Sequence, residues 1–206
     1  YKNTYLAFKE GESSTVLMRE LFPELDLPYL HFSYPTVSNL VVNYVLEMGF
    51  KQVYLFGVDL GMVDVKHHHS KSSGYYKKDG KELFNHEEQV DTSLVVPGNL
   101  RPYVNTKFEF NMSKSVIEKT LAAFSDADVY NLNDGAKIAG SPPLEQDALI
   151  ITNSVKDKQA AMNWIQTQAH VPIPADEFQQ RFAQRFNHEA LIEDITNFKA
   201  LSEREF

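Results

Sequence analysis

Residues 35–64, PTVSNLVVNYVLEMGFKQVYLFGVDLGMVD, predict one helix, one tight turn, one buried strand and the loop that leaves the strand. Apolar side chains in the first half recur at the spacing of one helix face: Val37, Leu40, Val41, Tyr44, Val45 and Met48. Gly49 follows the last of them, as expected of a residue that ends a helix. Residues 52–56, QVYLF, form a short apolar run that is typical of a strand buried on both faces.

An acidic residue, Asp59, follows the predicted strand two positions after Gly57. In open α/β sheets, ligands bind beyond the carboxyl ends of the strands, so Asp59 occupies a position where such folds place chemistry. A carboxylate there can accept hydrogen bonds from ligand hydroxyls or coordinate a metal ion. The alternative is that Asp59 caps its own loop by accepting hydrogen bonds from neighbouring backbone N–H groups.

The segments that follow continue the alternation of strands and helices. A helix is predicted to begin at Asn111 or Ser113, and a strand is predicted at residues 129–132. The short joins indicate an α/β fold with a Rossmann-like parallel sheet. Residues 57–107 hold no long periodic segment, and a connection of that length is usually a functional lid or partly disordered.

Past Pro142 and Pro143 the composition changes, and three helical segments follow. One of them carries phenylalanines at four-residue spacing, which we interpret as core or interface packing: Phe178, Phe182 and Phe186. We therefore expect a Rossmann-like domain over residues 1–145 and a helical appendage over residues 146–206.

Composition narrows the classes of function. The net charge of −8 argues against binding of a nucleic-acid backbone as the main task. Cysteine is absent, so the chain has no disulfide framework and no thiolate metal site. No uninterrupted apolar segment approaches the length of a membrane span, and we expect a cytoplasmic protein. The chain begins at Tyr1 without methionine, which suggests a fragment of a longer protein.

Histidines follow an acidic residue in the predicted lid. Asp64 precedes a run of three, His67, His68 and His69. An imidazole beside a carboxylate can act as a general base or bind a divalent metal. Adjacent residues point in different directions, so three consecutive histidines do not easily ligate one ion. On a loop rich in lysine and serine, they can also simply be solvated.

The segment 131–140, NLNDGAKIAG, is a second candidate for ligand binding. Its glycines and its lysine, in particular Gly135 and Lys137, can approach a phosphate or a carboxylate closely, next to Asn131 at the strand end. The segment does not match the glycine spacing of the phosphate-binding loop or of the dinucleotide fingerprint. A plain turn is the alternative interpretation.

Taken together, these blocks resemble the motility accessory factor (Maf) family of flagellin glycosyltransferases. The matching positions are Thr36-Val37, Gly49, Gly57-Val58-Asp59-Leu60, Asp64, His68, Val96-Pro97-Gly98, Thr106, Asn131, Gly135-Ala136-Lys137-Ile138 and Gly140. They cover roughly residues 30 to 145 in the order and spacing of that family. The helix–strand block is also similar to bacterial sialyltransferases that use CMP-activated sugars, in which the helix start lies near the nucleotide.

The resemblance implies a sialyltransferase-like glycosyltransferase that transfers a nonulosonic acid, such as pseudaminic or legionaminic acid, from a CMP donor to serine or threonine of flagellin. No metal or other cofactor is then required. It implies that Thr36, Ser38 and Asn39 line the nucleotide, that Asp59 orients the ribose or the hydroxyls of the donor, and that Lys137 offsets charge on the leaving phosphate. His68 is the expected general base, with Asp64 beside it and His86 as the other candidate.

Two departures from the family leave alternatives open. The glycine-rich nucleotide segment expected near the start of the domain is missing, and the single histidine of the family is a run of three here. A related domain occurs in archaeal pterin diphosphokinases, which transfer pyrophosphate from ATP and need Mg²⁺; Asp59 and Asp64 would then hold the metal. A third interpretation is a non-catalytic flagellin-binding module.

Overall fold

The computed structural model describes residues 5–64, 91–151 and 154–202, together with residues 74, 77, 79 and 81. The chain divides into two compact units. One, the α/β unit, is Tyr29–Ile151; the other, the helical unit, combines Tyr1–Pro28 with Thr152–Phe206. The described elements in chain order are β1 (Phe8–Lys9), α1 (Ser13–Leu21), β2 (Tyr29–Leu30), α2 (Val37–Glu47), β3 (Gln52–Leu55), β4 (Leu94–Pro97), β5 (Tyr103–Thr106), α3 (Phe108–Ala123), β6 (Asp128–Asn131), a 3₁₀ turn (Gln146–Ala148), α4 (Val155–Gln168), α5 (Ala175–Arg185) and α6 (His188–Ser202).

A parallel strand pair lies at the centre of the α/β unit. Strand β3 pairs with β6 in a register that runs from Gln52 opposite Asp128 to Leu55 opposite Asn131. The two predicted strands are thereby confirmed as parallel neighbours, although each ends one residue earlier than predicted. The first strand is not buried on both faces as predicted, since Leu55 is its one fully buried residue and Phe56, just beyond its end, is 56% exposed. The rings of Tyr54 and Tyr130 stack across the pair with centroids 5.7 Å apart. The chain has the predicted α/β fold, with helices continuing after the last strand.

An antiparallel hairpin that the sequence analysis missed lies inside the expected lid. Strands β4 and β5 pair from Leu94 opposite Thr106 to Pro97 opposite Tyr103. Both strands are short, and a turn of Pro, Gly and Asn residues joins them, so their apolar alternation was too brief to stand out. The remainder of the expected lid lies largely outside the described residues.

Helix α2 forms where predicted, but the predicted apolar face was wrong. The buried residues are Asn39, Val42, Asn43 and Leu46. Val37 and Val41, members of the predicted stripe, are 73% and 51% exposed. Two of these four residues are asparagines, and Asn39 can be buried because α2 packs against α3, whose Ser113 supplies its hydrogen-bond partners. A pattern of apolar residues alone cannot reveal a buried face that is half amide.

Helix α3 begins earlier than predicted, at Phe108 instead of Asn111 or Ser113. Its buried face nevertheless follows the 3.6-residue period and carries Val116, Ile117 and Leu121. In the core of the α/β unit, this face packs with buried residues of α2, the strands and the loops. The buried core residues are Val42, Leu46, Leu55, Leu60, Val104, Ile117, Leu121, Val129, Ala136 and Ile138.

The helical unit has a smaller core of its own. Met18, Leu21, Phe22 and Leu27 are buried there, and Phe178 and Phe186 pack against them. The predicted packing is confirmed for Phe178 and Phe186, whereas Phe182, between them, is 38% exposed and contacts their two rings. The residues up to Pro28 group with the C-terminal helices in this way, whereas the sequence analysis assigned them to the α/β domain.

Arg181 of α5 stabilises this smaller core from its edge. Its guanidinium lies 4.5 Å from the ring centroid of Phe22 and donates to the carbonyl of Leu21 at 2.9 Å. It also pairs with Glu24 and Glu177 at 2.6 and 2.7 Å.

Within the described segments, no helix has the length and apolar content needed to cross a bilayer.

Substitutions at two adjacent valines of α2 test which face of the helix is buried. Val42 is 3% exposed and Val41 is 51% exposed. Both changes to alanine gain the same helix propensity, about 0.5 kcal/mol. We expect Val42→Ala to lower the free energy of unfolding by about 1–3 kcal/mol through lost burial, and Val41→Ala to leave it unchanged or slightly raised. Urea denaturation of the two variants measures the difference. Equal losses of unfolding free energy in the two variants would contradict the burial of Val42 and the exposure of Val41.

Candidate functional site

The candidate site lies where the two parallel strands end. Because β3 and β6 run in the same direction, their carboxyl ends meet at one edge, with the loop 56–60 beside the loop 132–136. Asn133 joins the loops: its Nδ2 donates to the carbonyl of Leu55 at 3.1 Å, and its Oδ1 accepts from the N–H of Gly57 at 2.5 Å. Asn131 in turn accepts from the Asn133 backbone N–H and Nδ2 at 3.0 and 2.9 Å.

Asn131 therefore belongs to the framework of this edge. Its side chain is completely buried, and its own Nδ2 donates to the carbonyl of Ala136 at 3.3 Å. Amides can donate and accept at once, so two asparagines add side-chain hydrogen bonds to the backbone bonds that join the two chain segments beyond the strands. The predicted contact of Asn131 with a ligand stays a prediction.

The backbone of Asp59 is held tightly against the loop after β6. Its carbonyl accepts from the N–H of Ala136 at 2.7 Å. A Cβ at Gly135 would lie 2.1 Å from the Asp59 carbonyl oxygen, far inside van der Waals contact. Glycine at 135 is thus required by the close approach of two backbones. Contact of Gly135 with a phosphate stays a prediction.

The residue after Asp59 has an unusual conformation. Leu60 has a φ of +47°, in the left-handed region that a leucine adopts at a cost of about 1–2 kcal/mol. Its side chain is buried in the core, and its carbonyl accepts from the Thr106 hydroxyl at 2.8 Å. These contacts stabilise the strained conformation of Leu60. Because Leu60 directly follows Asp59, they also fix the backbone on the C-terminal side of Asp59.

Two carboxylates with opposite environments face this edge. Partial removal of water raises the pKa of Asp59, and the negative charge of Asp134 raises it further. The pKa of Asp134 is lowered, because Arg101 donates hydrogen bonds to it. The Arg101 Nε lies 2.8 Å from Asp134 Oδ1, and its Nη2 contacts Oδ2. Although neighbouring atoms remove part of the water around its carboxylate, Asp59 is an exposed residue, so a ligand can reach it.

The hairpin turn contributes residues that the sequence analysis did not identify. Asn99 and Arg101 lie between β4 and β5 and both reach the loop after β6. The only signal in the sequence was the Pro97-Gly98-Asn99 turn next to an arginine, which reveals a turn but not its distant partner.

The predicted nucleotide-lining residues lie at the start of α2. Thr36 precedes the helix, and both its N–H and its hydroxyl donate to Asn39 Oδ1, at 3.2 and 2.7 Å. Ser113 of α3 donates to the same oxygen at 2.6 Å, and Asn39 Nδ2 donates to the Ser113 carbonyl at 2.9 Å. Asn39 is completely buried, and its two hydrogen bonds with Ser113 join α2 to α3. Ser38 is half-buried.

The remaining predicted residues are placed as follows. Lys137 has an exposed side chain, and its N–H donates to the carbonyl of Pro97 at 2.8 Å. Asp64 is exposed, two residues after Met62 bridges to Asn105. His68 and His86 lie outside the described residues. The described contacts bring Asp59, Asn131, Gly135 and the backbone of Lys137 to one edge.

The fold described above is shared with part of a glycosyltransferase. The structure of the MAf glycosyltransferase from Magnetospirillum magneticum AMB-1 superposes with a TM-score of 0.56 at 21% sequence identity. The match covers 76% of this chain and 21% of that chain, so this chain spans about a fifth of its length. The predicted likeness to Maf proteins is confirmed at the level of fold. No protein-family model and no curated protein matches the chain.

Replacement of Gly135 by alanine tests the close approach to Asp59. The added methyl must displace backbone, so we expect a loss of about 3 kcal/mol or more in the free energy of unfolding. Gly49→Ala is the matched control, because Gly49 has a φ of +84° but open space around its missing Cβ. That change should cost only the left-handed strain of about 1–2 kcal/mol. Denaturant unfolding compares the two, and equal losses would contradict the packing argument.

The raised pKa of Asp59 predicts a pH-dependent effect of Asp59→Asn. The raised pKa means that the folded state favours the protonated form, so ionisation of Asp59 destabilises the fold. This destabilisation is absent below the pKa of the unfolded state and complete above the pKa of the folded state. We expect Asp59→Asn to raise the melting temperature modestly at neutral pH and to leave it unchanged in acid. Asp128→Asn, at the opposite end of the strand pair, is the control. A gain from Asp59→Asn that is equal at both pH values would contradict this explanation.

Proposed function

We propose that this chain is part of a glycosyltransferase that moves a nonulosonic acid from a CMP donor to serine or threonine of flagellin. One observation carries the proposal: an exposed carboxylate, Asp59, stands at the carboxyl end of a parallel strand in a fold shared with a MAf glycosyltransferase. Strand ends of this kind are where open α/β sheets bind ligands. The resemblance of the sequence blocks to the Maf family supports the choice of donor and acceptor.

Asp59 would accept hydrogen bonds from the ribose or from hydroxyls of the donor. Its backbone is fixed by Ala136 and Gly135, so binding would cost little further ordering of the chain. Partial desolvation of a carboxylate strengthens the hydrogen bonds that it accepts. Lys137, two residues beyond Gly135, would offset charge on the leaving phosphate.

The start of α2 would hold the nucleotide. The first N–H groups of a helix have no partner within the helix and favour an anionic group. Thr36 and Ser38 would add hydroxyls at that end, and both are half-buried. Asn39 would not contact the nucleotide. It would position Thr36, because its Oδ1 accepts hydrogen bonds from both the Thr36 hydroxyl and the Ser113 hydroxyl.

The reaction is a displacement at the anomeric carbon of the sugar. The bond from this carbon to the phosphate oxygen of CMP breaks, and a bond to the acceptor hydroxyl oxygen forms. His68, or alternatively His86, would take the hydroxyl proton as the general base, and CMP would leave with the bonding electrons. Asp64 would hold the imidazole in the required tautomer.

A thermal-shift series with the whole chain tests the donor class. A ligand at 100 times its Kd stabilises the folded state by about 2.7 kcal/mol, so CMP should raise the melting temperature by roughly 5–10 °C. Asp59→Asn should weaken CMP binding by about tenfold or more, since a hydrogen bond to a charged group is lost. Asp128→Asn is the matched control and should bind CMP normally.

The other outcomes of the series each overturn the proposal. Stabilisation by ATP with Mg²⁺ but not by CMP would indicate pyrophosphate transfer of the diphosphokinase kind. Among the described residues, no group of three histidine or acidic side chains could hold a metal ion. Stabilisation by neither nucleotide, with retained binding of flagellin, would indicate a non-catalytic module. Mass spectrometry of flagellin after incubation with a CMP-activated nonulosonic acid then tests the transfer itself.

A further inference from the structure

The turn between β4 and β5 forms a clamp on the loop that follows β6. Asn99 donates three hydrogen bonds to alternate carbonyls of that loop. Its Nδ2 donates to Asn131 and to Asn133, both at 2.9 Å, and its backbone N–H donates to Gly135 at 2.9 Å. Gly98 also bridges antiparallel to Ala136. Asn99 therefore holds every second carbonyl from the last residue of β6 to Gly135.

The clamp extends to Asp59 through backbone contacts. Gly135, whose carbonyl accepts from the N–H of Asn99 at 2.9 Å, directly precedes Ala136, whose N–H donates to the Asp59 carbonyl at 2.7 Å. The absence of a Cβ at Gly135 allows the two backbones to touch. A shift of the hairpin turn would therefore shift the backbone of Asp59.

Arg101 adds charge to the clamp. Its guanidinium binds both carboxylate oxygens of Asp134, a geometry that fixes direction as well as distance. Asp134 is the negative charge that acts on Asp59. Among the described residues, Lys137, beyond Gly135, and Asp64, on the loop after β3, also carry charge on loops that leave this edge.

We infer that Asn99 and Arg101 are positioning residues for the proposed donor site: Asn99 sets the place of Asp59, and Arg101 directs and offsets the charge of Asp134 beside it. The inference rests on the proposed function in that Asp59 is taken as the donor-binding carboxylate. Neither residue needs to touch the donor. The hairpin turn is thus the third part of a site whose other two parts are the strand ends.

The electrostatic part is tested by following the carboxyl carbon of Asp59 with NMR during an acid titration of the whole chain. Asp59→Asn identifies the resonance by its loss. Arg101→Met keeps the aliphatic stem but removes the charge, so Asp134 acts on Asp59 without an offset. We expect the apparent pKa of Asp59 to rise, because the charge of Asp134 is no longer offset. Arg101→Lys keeps a charge without the fork and should give an intermediate shift.

Two variants make this measurement specific. Arg185→Met removes a similar exposed arginine, paired with Glu20 in the helical unit, and should leave the Asp59 titration unchanged. Asp134→Asn should lower the pKa of Asp59, and adding Arg101→Met to it should then have little effect. Equal titrations of Asp59 in Arg101→Met and Arg185→Met would overturn the role of Arg101.

The mechanical part is tested with Asn99→Ala. Loss of the amide should speed hydrogen exchange at the N–H of Ala136 by about tenfold, because a hydrogen bond network worth roughly 1–1.5 kcal/mol no longer fixes its loop. Asn163→Ala is the control, since Asn163 accepts from Gln159 on an exposed face of α4. Unchanged exchange at Ala136 would overturn the role of Asn99.

The donor arm separates failure of this inference from failure of the proposed function. CMP titrations should show about threefold to tenfold weaker binding by Arg101→Met, and normal binding by Arg185→Met. If the unaltered chain does not bind CMP, the proposed function fails, whereas the NMR and exchange results still decide whether the hairpin positions Asp59. If CMP binds and Arg101→Met binds it as tightly as the unaltered chain, the positioning inference fails alone.

Discussion

The contact on which the α/β unit most depends is the approach of Gly135 to the backbone of Asp59. A side chain of any size at 135 would separate the loops after β3 and β6, because even its first carbon would lie 2.1 Å from the Asp59 carbonyl oxygen. Three hydrogen bonds require this closeness: Ala136 donates to Asp59, Asn133 donates to Leu55, and Gly57 donates to Asn133. A single missing Cβ therefore lets two parallel strands continue as two paired loops.

The sequence predicts which edge of the sheet holds the candidate site, but it does not reveal how the loops at that edge are held together. A continuous apolar run ending in glycine and then Asp59 indicates a buried parallel strand and the edge where it ends. The interpretation of the segment 131–140 as polar and close to that edge follows from the same rule. Asn99 and Arg101 were missed because their partners are about thirty residues away, and no local pattern encodes such a distance.

The face of α2 shows a different limit of sequence reasoning. Apolar periodicity assumes that buried positions are apolar, yet Asn39 and Asn43 are buried and Val37 and Val41 are exposed. Asn39 can be buried because Ser113, on a helix that begins more than sixty residues later, pairs with both ends of its amide. A prediction from one helix cannot foresee a partner supplied by another.

The framework of the candidate site is built mainly from amides. Asn99, Asn131 and Asn133 hold the loops together, and their side chains do not titrate at any pH that a folded protein tolerates. The charges at the same edge belong to a few other side chains, among them Asp59, Asp134 and Arg101. Acidification that protonates Asp134 therefore weakens its pairing with Arg101, while the hydrogen bonds of the three asparagines remain. Most of the scaffold is thus insensitive to pH, and the part that responds is the ion pair between the hairpin turn and the loop after β6.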